Sequence, residues 1–448
     1  MTTILDLPDE IYPLIGKHLS SKSIYSCIRV CRSFYSTFIP YLWSNPTVQP
    51  YEGRTIDAIF LRSNAHRIKS IVYSPNLTED YYAITFPRLH TLRLESFFTD
   101  EDEPQYLEVP LAQKVDFLRR HPFVKRLSYH HKDTLPREFW EIIRTEWTAL
   151  EKLEFSGFVE ADDLDVFWAV CERVHTLYLS NVNMLTEGCW PELCELEFND
   201  GTVTDQDLAA ILRSFPSRRL TFLSPGGRVT FGPLTYSCLQ EMYFGHLRVL
   251  RIEHCLRVTS TMTQEILTKC VHLVDFSAPY IYVRDVVGTP KPWGCSKLEN
   301  LKIFVAKLPD DEAEWEGRLF EQISKLRQLL ILNLEPYPLS ADSESSDLKT
   351  LDFRLLPSPS SSPENSRDDD EGGDKRRHEG IRSWSSLVQL QQFAFDEDRQ
   401  RLGLEEALWM VQHWQDLVAV HGSFKAAEGD DGDKLKRLFD ERGVEHYT

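Results

Sequence analysis

The chain has 448 residues, 42% of them apolar, and a chain of this length and composition can bury one large core or several. Its formal net charge of −19 argues against nucleic acid and against an anionic membrane as partners, because both attract basic surfaces. No apolar run approaches the ~18 residues of a membrane span, and nine thinly spread cysteines are typical of reduced thiols, so we expect a cytoplasmic and/or nuclear protein.

The first 43 residues carry three short amphipathic segments with almost no loop between them. Pro8 suits the first turn of a helix, and Ser20 or Ser21 is expected to cap the second helix. Pro40 is expected to end the third. The apolar positions, spaced three or four residues apart, are Ile11, Ile15 and Leu19, then Ile24, Cys27 and Ile28, then Val30, Phe34 and Phe38.

A bundle of some 40 residues is marginal by itself, because it buries too little apolar surface. It also carries more apolar side chains than it can hide, so we expect some of them to be buried on a partner. The alternative is an N-terminal helical cap on a larger domain. At these residues the chain resembles the F-box family, whose pattern stands here as Leu7-Pro8-Asp9-Glu10-Ile11, Val30-Cys31-Arg32-Ser33-Phe34 and Leu42-Trp43.

The resemblance to the F-box covers about a tenth of the chain, with its motifs in order and at the expected spacing. It implies a module that docks on the Skp-type adaptor of a Skp–cullin–F-box ubiquitin ligase and, through it, on a cullin. One departure is Ser20-Ser21-Lys22-Ser23, which replaces the usual proline-containing helix link. The residues that the resemblance assigns to adaptor binding are Leu7, Pro8, Ile11, Ile15, Leu19, Val30, Cys31 and Trp43.

From about residue 66 a second pattern recurs: apolar, two variable, apolar, one variable, apolar. Its copies follow one another at roughly 19–35 residues, the interval of leucine-rich repeats. The alternating end of each copy predicts a short strand, and stacked copies would share one core in a curved solenoid. The copies are Ile68/Ile71/Tyr73, Leu89/Leu92/Leu94, Val124/Leu127/Tyr129, Leu150/Leu153/Phe155, Val174/Leu177/Leu179, Leu193/Leu196/Phe198, a degraded Leu220/Phe222, Leu247/Leu250/Ile252, Val271/Val274/Phe276, Leu298/Leu301/Ile303, Leu329/Leu332/Leu334, Leu348/Leu351/Phe353 and Leu390/Phe393/Phe395.

Helical patterns lie between these copies, for example at 204–212 and 263–270. Cys171 and Cys270 end such helices just before a strand, which resembles the cysteine-containing subclass of leucine-rich repeats. An ordinary α/β sandwich or a two-domain protein is the alternative.

The predicted fold class is α/β, with a curved parallel sheet and outer helices. Toward the C-terminus an amphipathic helix is expected over 404–420 and a second one around Leu435, Leu438 and Phe439, and together they would cap the solenoid. The expected divisions are an F-box at 1–48, leucine-rich repeats at 60–339, a disordered acidic Ser/Pro-rich insertion at 340–383, and the last repeat with the capping helices at 384–448.

The sequence offers no motif for catalysis. It has no glycine-rich phosphate loop with a following Lys-Ser/Thr and no Gly-x-Ser-x-Gly turn. Cys189 and Cys194 have no second pair at zinc-site spacing, and His130-His131 is expected to be a surface turn. We therefore expect no cofactor, no metal and no catalytic residue, with an enzyme hidden in residues 60–448 as the alternative.

The residue between the last two apolar positions of each copy should face the concave side of the solenoid. We expect a substrate-docking surface there, with an acidic half around Tyr178 and a more basic half around Asp275. Its predicted residues are Arg93, Glu154, Tyr178, Glu197, Arg251, Asp275 and Lys302.

The F-box resemblance and the predicted repeats together indicate a substrate-recognition subunit of a ubiquitin ligase that holds an unknown protein substrate. We expect a monomer within a hetero-complex. The alternative is a non-degradative scaffold bound to the adaptor alone.

Overall fold

A computed structural model of the chain divides into two compact units, Met1–Leu193 and Cys194–Thr448. No helix within the described residues is long and apolar enough to cross a membrane. The residues that the structure describes are 8, 11–48, 56–74, 77–95, 110–130, 134–180, 190–199, 203–215, 219–226, 230–255, 257–288, 291–306, 313–334, 380–395, 403–422 and 430–447.

The first unit begins with three helices, α1 (Ile11–His18), α2 (Ser21–Ile28) and α3 (Arg32–Leu42), as the periodicity predicts. Their core contains Tyr12, Ile24, Phe34 and Phe38. The rings of Tyr12, Phe34 and Phe38 meet edge to face, with centres 5.5–6.3 Å apart. This geometry is favoured because it places a positive ring edge on a negative ring face.

Side-chain caps explain where α2 and α3 begin. Ser20 Oγ accepts a hydrogen bond from the Ser23 N–H at 3.2 Å, which confirms one of the two predicted caps. Cys31 Sγ accepts from the Phe34 N–H at 3.5 Å, so this cysteine starts α3.

The predicted end of the third helix is wrong. The helix continues past Pro40 to Leu42, and the Trp43 N–H still reaches the Ile39 carbonyl at 3.2 Å. Proline removes only its own N–H, and one missing bond in the last turn does not stop the helix. Val30 lies outside this helix, which begins at Arg32, and it is 69% exposed.

Parallel strands follow the helices in the first unit, each hydrogen-bonded to the next in chain order. They are β1 (Thr47–Val48), β2 (Ser70–Tyr73), β3 (Thr91–Glu95), β4 (Arg126–His130), β5 (Lys152–Ser156) and β6 (Thr176–Ser180). The helices between them are α4 (Ala58–Asn64), α5 (Glu79–Tyr82), α6 (Leu111–Arg119), α7 (Arg137–Glu146) and α8 (Leu164–Cys171), with 3-10 turns at Ala65–Arg67 and Ala161–Asp163.

The strand register of this unit confirms the repeat. Leu92, Leu127, Leu153 and Leu177 stand beside one another on successive strands, and each is at most 1% exposed. The core lies between strands and helices, since the Trp140 ring of α7 meets a strand phenylalanine, Phe155, at 5.2 Å.

The second unit continues the same architecture with nine described parallel strands. They are β7 (Glu195–Asn199), β8 (Phe222–Pro225), β9 (Val249–Arg251), β10 (Asp275–Tyr282), β11 (Asn300–Ala306), β12 (Ile331–Asn333), β13 (Gln392–Ala394), β14 (Ala419–His421) and β15 (Glu445–Tyr447). The helices are α9 (Asp205–Ser214), α10 (Pro233–Met242), α11 (Ser260–Lys269), α12 (Val283–Gly288), α13 (Ala313–Ser324), α14 (Leu404–His413) and α15 (Asp430–Arg442), with a 3-10 helix at Gly380–Ser386.

Two predicted repeats are displaced. In the degraded copy Leu223, and not Phe222, stands beside Leu196 and Leu250, and the copy at Val271 is displaced by two residues. Phe276 stands beside Leu250 on β9 and Leu301 on β11, so it takes the first inward position of its strand rather than the second. Val271, the predicted start of this copy, is 45% exposed, whereas Leu273 is buried. The error arises because the residues around β10 satisfy the apolar pattern in two registers.

The C-terminal helices differ from the prediction. The helix expected over 404–420 ends at His413, and Val420 lies in β14 between Phe393 and His446. The predicted cap is therefore not purely helical, because each of its helices is followed by another strand of the sheet. The predicted copy at Leu348/Leu351/Phe353 and most of the 340–383 insertion lie outside the described residues.

Adjacent repeats of the second unit are joined by a buried carboxylate. Asp205, at the start of α9, accepts hydrogen bonds from the backbone N–H groups of Gly232, Leu234 and Thr235 at 2.9–3.0 Å. These groups belong to the N-terminus of α10, where a helix has unpaired donors. Burial raises the pKa of Asp205, but the donors lower it by more, and the net shift is downward. Gly232 is required because a Cβ there would lie 2.7 Å from the carboxylate.

Candidate functional site

Three of the predicted adaptor-binding side chains face the helical bundle. Ile15, Leu19 and Cys31 pack against the core of the three helices and are only partly buried. Their position holds the helices together and leaves part of each side chain accessible.

The other predicted adaptor-binding residues lie nearer the surface. Pro8 and Val30 are exposed, Ile11 and Trp43 are half-buried, and Leu7 lies outside the described residues. Pro8 accepts a hydrogen bond from the Ile11 N–H at 2.9 Å, so its carbonyl stands at the start of α1.

Sequence reasoning missed three further exposed side chains on these helices. Leu14, Tyr25 and Tyr35 are 53–55% exposed, and with Val30 they leave much apolar surface uncovered on a very small bundle. The helical period could have identified them, since each lies off the buried stripe of its helix.

On the strands, the predicted substrate-binding residues share the face opposite the helices, which we call the polar strand face. In the first unit Arg93, Glu154 and Tyr178 lie on it, on β3, β5 and β6. Arg93 Nε donates to Glu95 Oε1 at 2.7 Å. The same face also holds Lys152, whose Nζ lies 4.2 Å from the centre of the Tyr178 ring.

Glu154 is a carboxylate of this face with a strongly lowered pKa. His130 Nε2 lies 3.9 Å from its Oε2, and Lys152 Nζ lies 2.7 Å from its Oε1. The nearby His130 and Lys152 lower the pKa of Glu154 to about 2 against the opposing effect of burial. Glu154 is thus a paired anion, and Lys152 compensates the acidic character that the sequence predicts around Tyr178.

In the second unit the polar strand face carries Glu197, Arg251 and Lys302. Arg251 Nη2 donates to Asp275 Oδ2 at 2.8 Å, and this hydrogen bond raises the pKa of Arg251. Because of the displaced register, the residue between Arg251 and Lys302 in their row is Ser277, which the sequence pattern missed. Asp275 lies on the same face, two residues before Ser277.

Two strands of this face are longer than their neighbours. The register between β10 and β11 shifts after Ala278, and Pro279, which has no N–H, is left unpaired. Beyond it the Tyr280 and Tyr282 rings lie 5.3 Å apart, and the Arg284 guanidinium lies 5.2 Å from the Tyr282 ring. The repeat pattern could not indicate this aromatic group, because it lies past the end of the motif.

The family comparison decides the nature of the helical module. The F-box-like family model matches residues 4–49. These residues form an F-box-like domain. Parallel strand–helix repeats of the leucine-rich-repeat type follow this domain.

Solved structures similar to the whole chain include an internalin of Listeria monocytogenes, at 13% identity, a TM-score of 0.44 and coverage of 99% of this chain and 98% of that one. A leucine-rich-repeat protein of Leptospira interrogans has 12% identity and a TM-score of 0.42, covering 86% and 90%. Yeast Rad7, in a complex with Elc1, has 13% identity and a TM-score of 0.49, covering 94% and 91%. A search of the curated proteins finds no significant match.

The buried cysteines of the described residues serve packing. Cys171, Cys255, Cys270 and Cys295 are buried, and burial raises the pKa of Cys255 and of Cys295 to about 12. Such thiols stay protonated and unreactive at neutral pH. The described residues contain no group of three or more His, Cys, Asp or Glu placed to hold a metal, and Cys189 lies outside them.

Proposed function

We propose that this chain is the substrate-recognition subunit of a Skp–cullin–F-box ubiquitin ligase. The F-box would bind a Skp-type adaptor, and the polar strand face would hold a protein substrate for ubiquitin transfer by other subunits. The observation that carries the proposal is an F-box-like domain followed in the same chain by parallel strand–helix repeats. In this role the chain supplies no catalytic residue.

The exposed apolar side chains of the F-box support the first part of the proposal. Val30 is 69% exposed and Tyr25 is 55% exposed on a bundle of three short helices. Such groups cost little in water as single residues, but a cluster of them is typical of a surface that is covered by a protein partner.

Adaptor binding is tested by Val30→Asp, with Ile59→Asp as the matched control. Ile59 is 72% exposed and lies on α4, outside the residues that the family model matches. If Val30 is an interface anchor, its charged variant should bind a Skp-type adaptor about 30-fold more weakly. The Ile59 variant should bind normally. Equal affinity of the two variants would contradict the docking assignment.

Co-purification separates a ligase from a scaffold. Recovery of the adaptor together with a cullin supports the ligase, and recovery of the adaptor alone supports a non-degradative scaffold. Measurable turnover of small molecules by the full chain would instead favour an enzyme.

Substrate capture is tested by proximity labelling with the proteasome inhibited. Tyr178→Ala and Arg251→Ala alter the polar strand face, and Arg144→Ala alters an exposed position on α7. We expect the first two variants to lose labelled proteins that the wild type and the third variant retain. Unchanged labelling by all three variants would place the substrate elsewhere.

A further inference from the structure

A pocket of about 280 Å³ lies in the second unit, beside the loops that lead into β9, β10 and β11. The residues that line it are Gly245, His246, Arg248, His272, Val274 and Lys297. None of the lining residues is acidic. The pocket lies at the ends of the strands and does not include the predicted substrate-binding residues.

The parallel register brings these distant residues together. Val274, one residue before β10, donates its N–H to the carbonyl of Arg248 at 2.7 Å. Its own carbonyl accepts from the Glu299 N–H at 2.8 Å. Arg248 and Val274 therefore take equivalent places in adjacent repeats. A Cβ added to Gly245 would meet nothing within 4 Å, so the space beside it is open.

The pocket has four basic residues, of which Arg248 and Lys297 are cations at neutral pH. His246, Arg248, His272 and Lys297 are exposed, and none of them forms an ion pair within the part of the chain that the structure describes. Some other cations of the second unit are paired within the described residues, as Arg251 is with Asp275 at 2.8 Å and Lys325 with Glu321 at 2.8 Å. The chain carries a net charge of −19, yet the lining of this pocket has basic residues and no acidic residue.

Helix ends do not explain these side chains. A basic residue in the last turn of a helix is favoured by the helix dipole, and Lys269 at the end of α11 is such a case. His246 and Arg248 come after the end of α10, and His272 comes after the end of α11. Because these residues lie in loops, helix dipoles do not account for them. What they share is a place in the lining of this pocket.

We propose that this pocket binds a phosphate monoester. A phosphoryl dianion has three terminal oxygens and two charges, which suits a pocket lined by several donors and by no acidic residue. Arg248 can donate two hydrogen bonds from its planar fork, and Lys297 supplies a compact charge. A single carboxylate has fewer acceptor oxygens and half the charge, so it would leave some of the pocket's donor groups without a partner. The proposal does not depend on adaptor binding or on the polar strand face.

The test measures binding of inorganic phosphate, and of a neutral peptide containing one phosphoserine, to the full chain. Titration calorimetry compares the wild type with the double variant Arg248→Gln/Lys297→Gln. The matched control is Lys269→Gln/Lys325→Gln, which removes the same charge from two ion-paired lysines. We expect the pocket variant to weaken binding by about tenfold or more, and the control to bind like the wild type. Circular dichroism checks that both variants are folded.

The two probes separate the sources of the ligand. Tighter binding of the peptide identifies a phosphorylated side chain of a protein, and equal or tighter binding of inorganic phosphate identifies a free phosphate compound. Equal affinity for the same peptide with aspartate in place of phosphoserine would overturn the proposal. So would equal losses in the two double variants, or no binding to the wild type in the millimolar range.

Discussion

Removing the carboxylate of Asp205 should weaken the contact between two adjacent repeats of the second unit. Asp205→Ala would leave three backbone donors, those of Gly232, Leu234 and Thr235, without their acceptor. Asp205 is only 9% exposed, so water replaces the carboxylate poorly. Hydrogen bonds to a charged acceptor contribute about 1.5–3 kcal/mol each, and partial hydration recovers some of this, so we expect a loss of about 3 kcal/mol in unfolding free energy. Asp205→Asn keeps one acceptor and should lose about half as much.

The matched control is Asp207→Ala on the same helix. Asp207 is exposed and completes a local capping box with Thr204, so its loss should cost about 1 kcal/mol. Urea unfolding followed by tryptophan fluorescence gives the free energies, and hydrogen exchange reports which amides open. Faster exchange at the start of α10 should accompany Asp205→Ala only. Equal free-energy losses for the two alanine variants, with α10 unaffected, would refute the reasoning.

Three further predictions concern buried positions. His121 is 2% exposed and burial lowers its pKa to about 4; because its ordinary pKa is higher, the folded state favours the neutral ring, and wild-type stability should fall by about 2 kcal/mol between pH 7.5 and 5. Urea titrations at both pH values should show a smaller loss of unfolding free energy for His121→Gln than for the wild type. An equal loss in the variant would exclude this residue as the cause. Gly422 has φ +142°, and a Cβ there would lie 2.5 Å from the Phe395 ring, so Gly422→Ala should cost at least about 2 kcal/mol of unfolding free energy. Gly443→Ala should cost less, because its Cβ would meet nothing within 4 Å. Equal melting temperatures of the two variants would contradict this. Trp384→Ala empties a fully buried site and should cost about 3–5 kcal/mol in urea unfolding, whereas a loss below 1 kcal/mol would show that this segment does not pack as a repeat.

Local periodicity predicted the elements that bury one face against their neighbours. The F-box helices follow from apolar residues three or four apart, and the strands at Leu92, Leu153 and Leu177 follow from the repeat motif. These patterns succeed because a helix or a strand fixes which side chains share a face over a few residues. The adaptor-binding residues rest on the F-box motif, and their roles stay predictions.

The motif failed where its apolar positions are ambiguous or absent. The residues around β10 fit the apolar pattern in two registers, one through Val274 and Phe276 and one through Leu273 and Phe276. Only pairing with β9 and β11 selected the second. The strand at Val420 was missed because the last apolar position of the repeat pattern falls on Gly422, just past the end of β14, and glycine has no apolar side chain. In both places the ladder to neighbouring strands, not local preference, decided the structure.

The sequence by itself therefore determined an F-box-like helical module, a series of strand–helix repeats and the polar face of their strands. Tertiary structure alone decided which residues of different repeats meet. Asp205 reaches donors 27–30 residues away, and the pocket joins Arg248 to Lys297 across two loops. Such meetings depend on the length of each repeat and the register of each strand, which vary from copy to copy and leave no short-range signal in the chain.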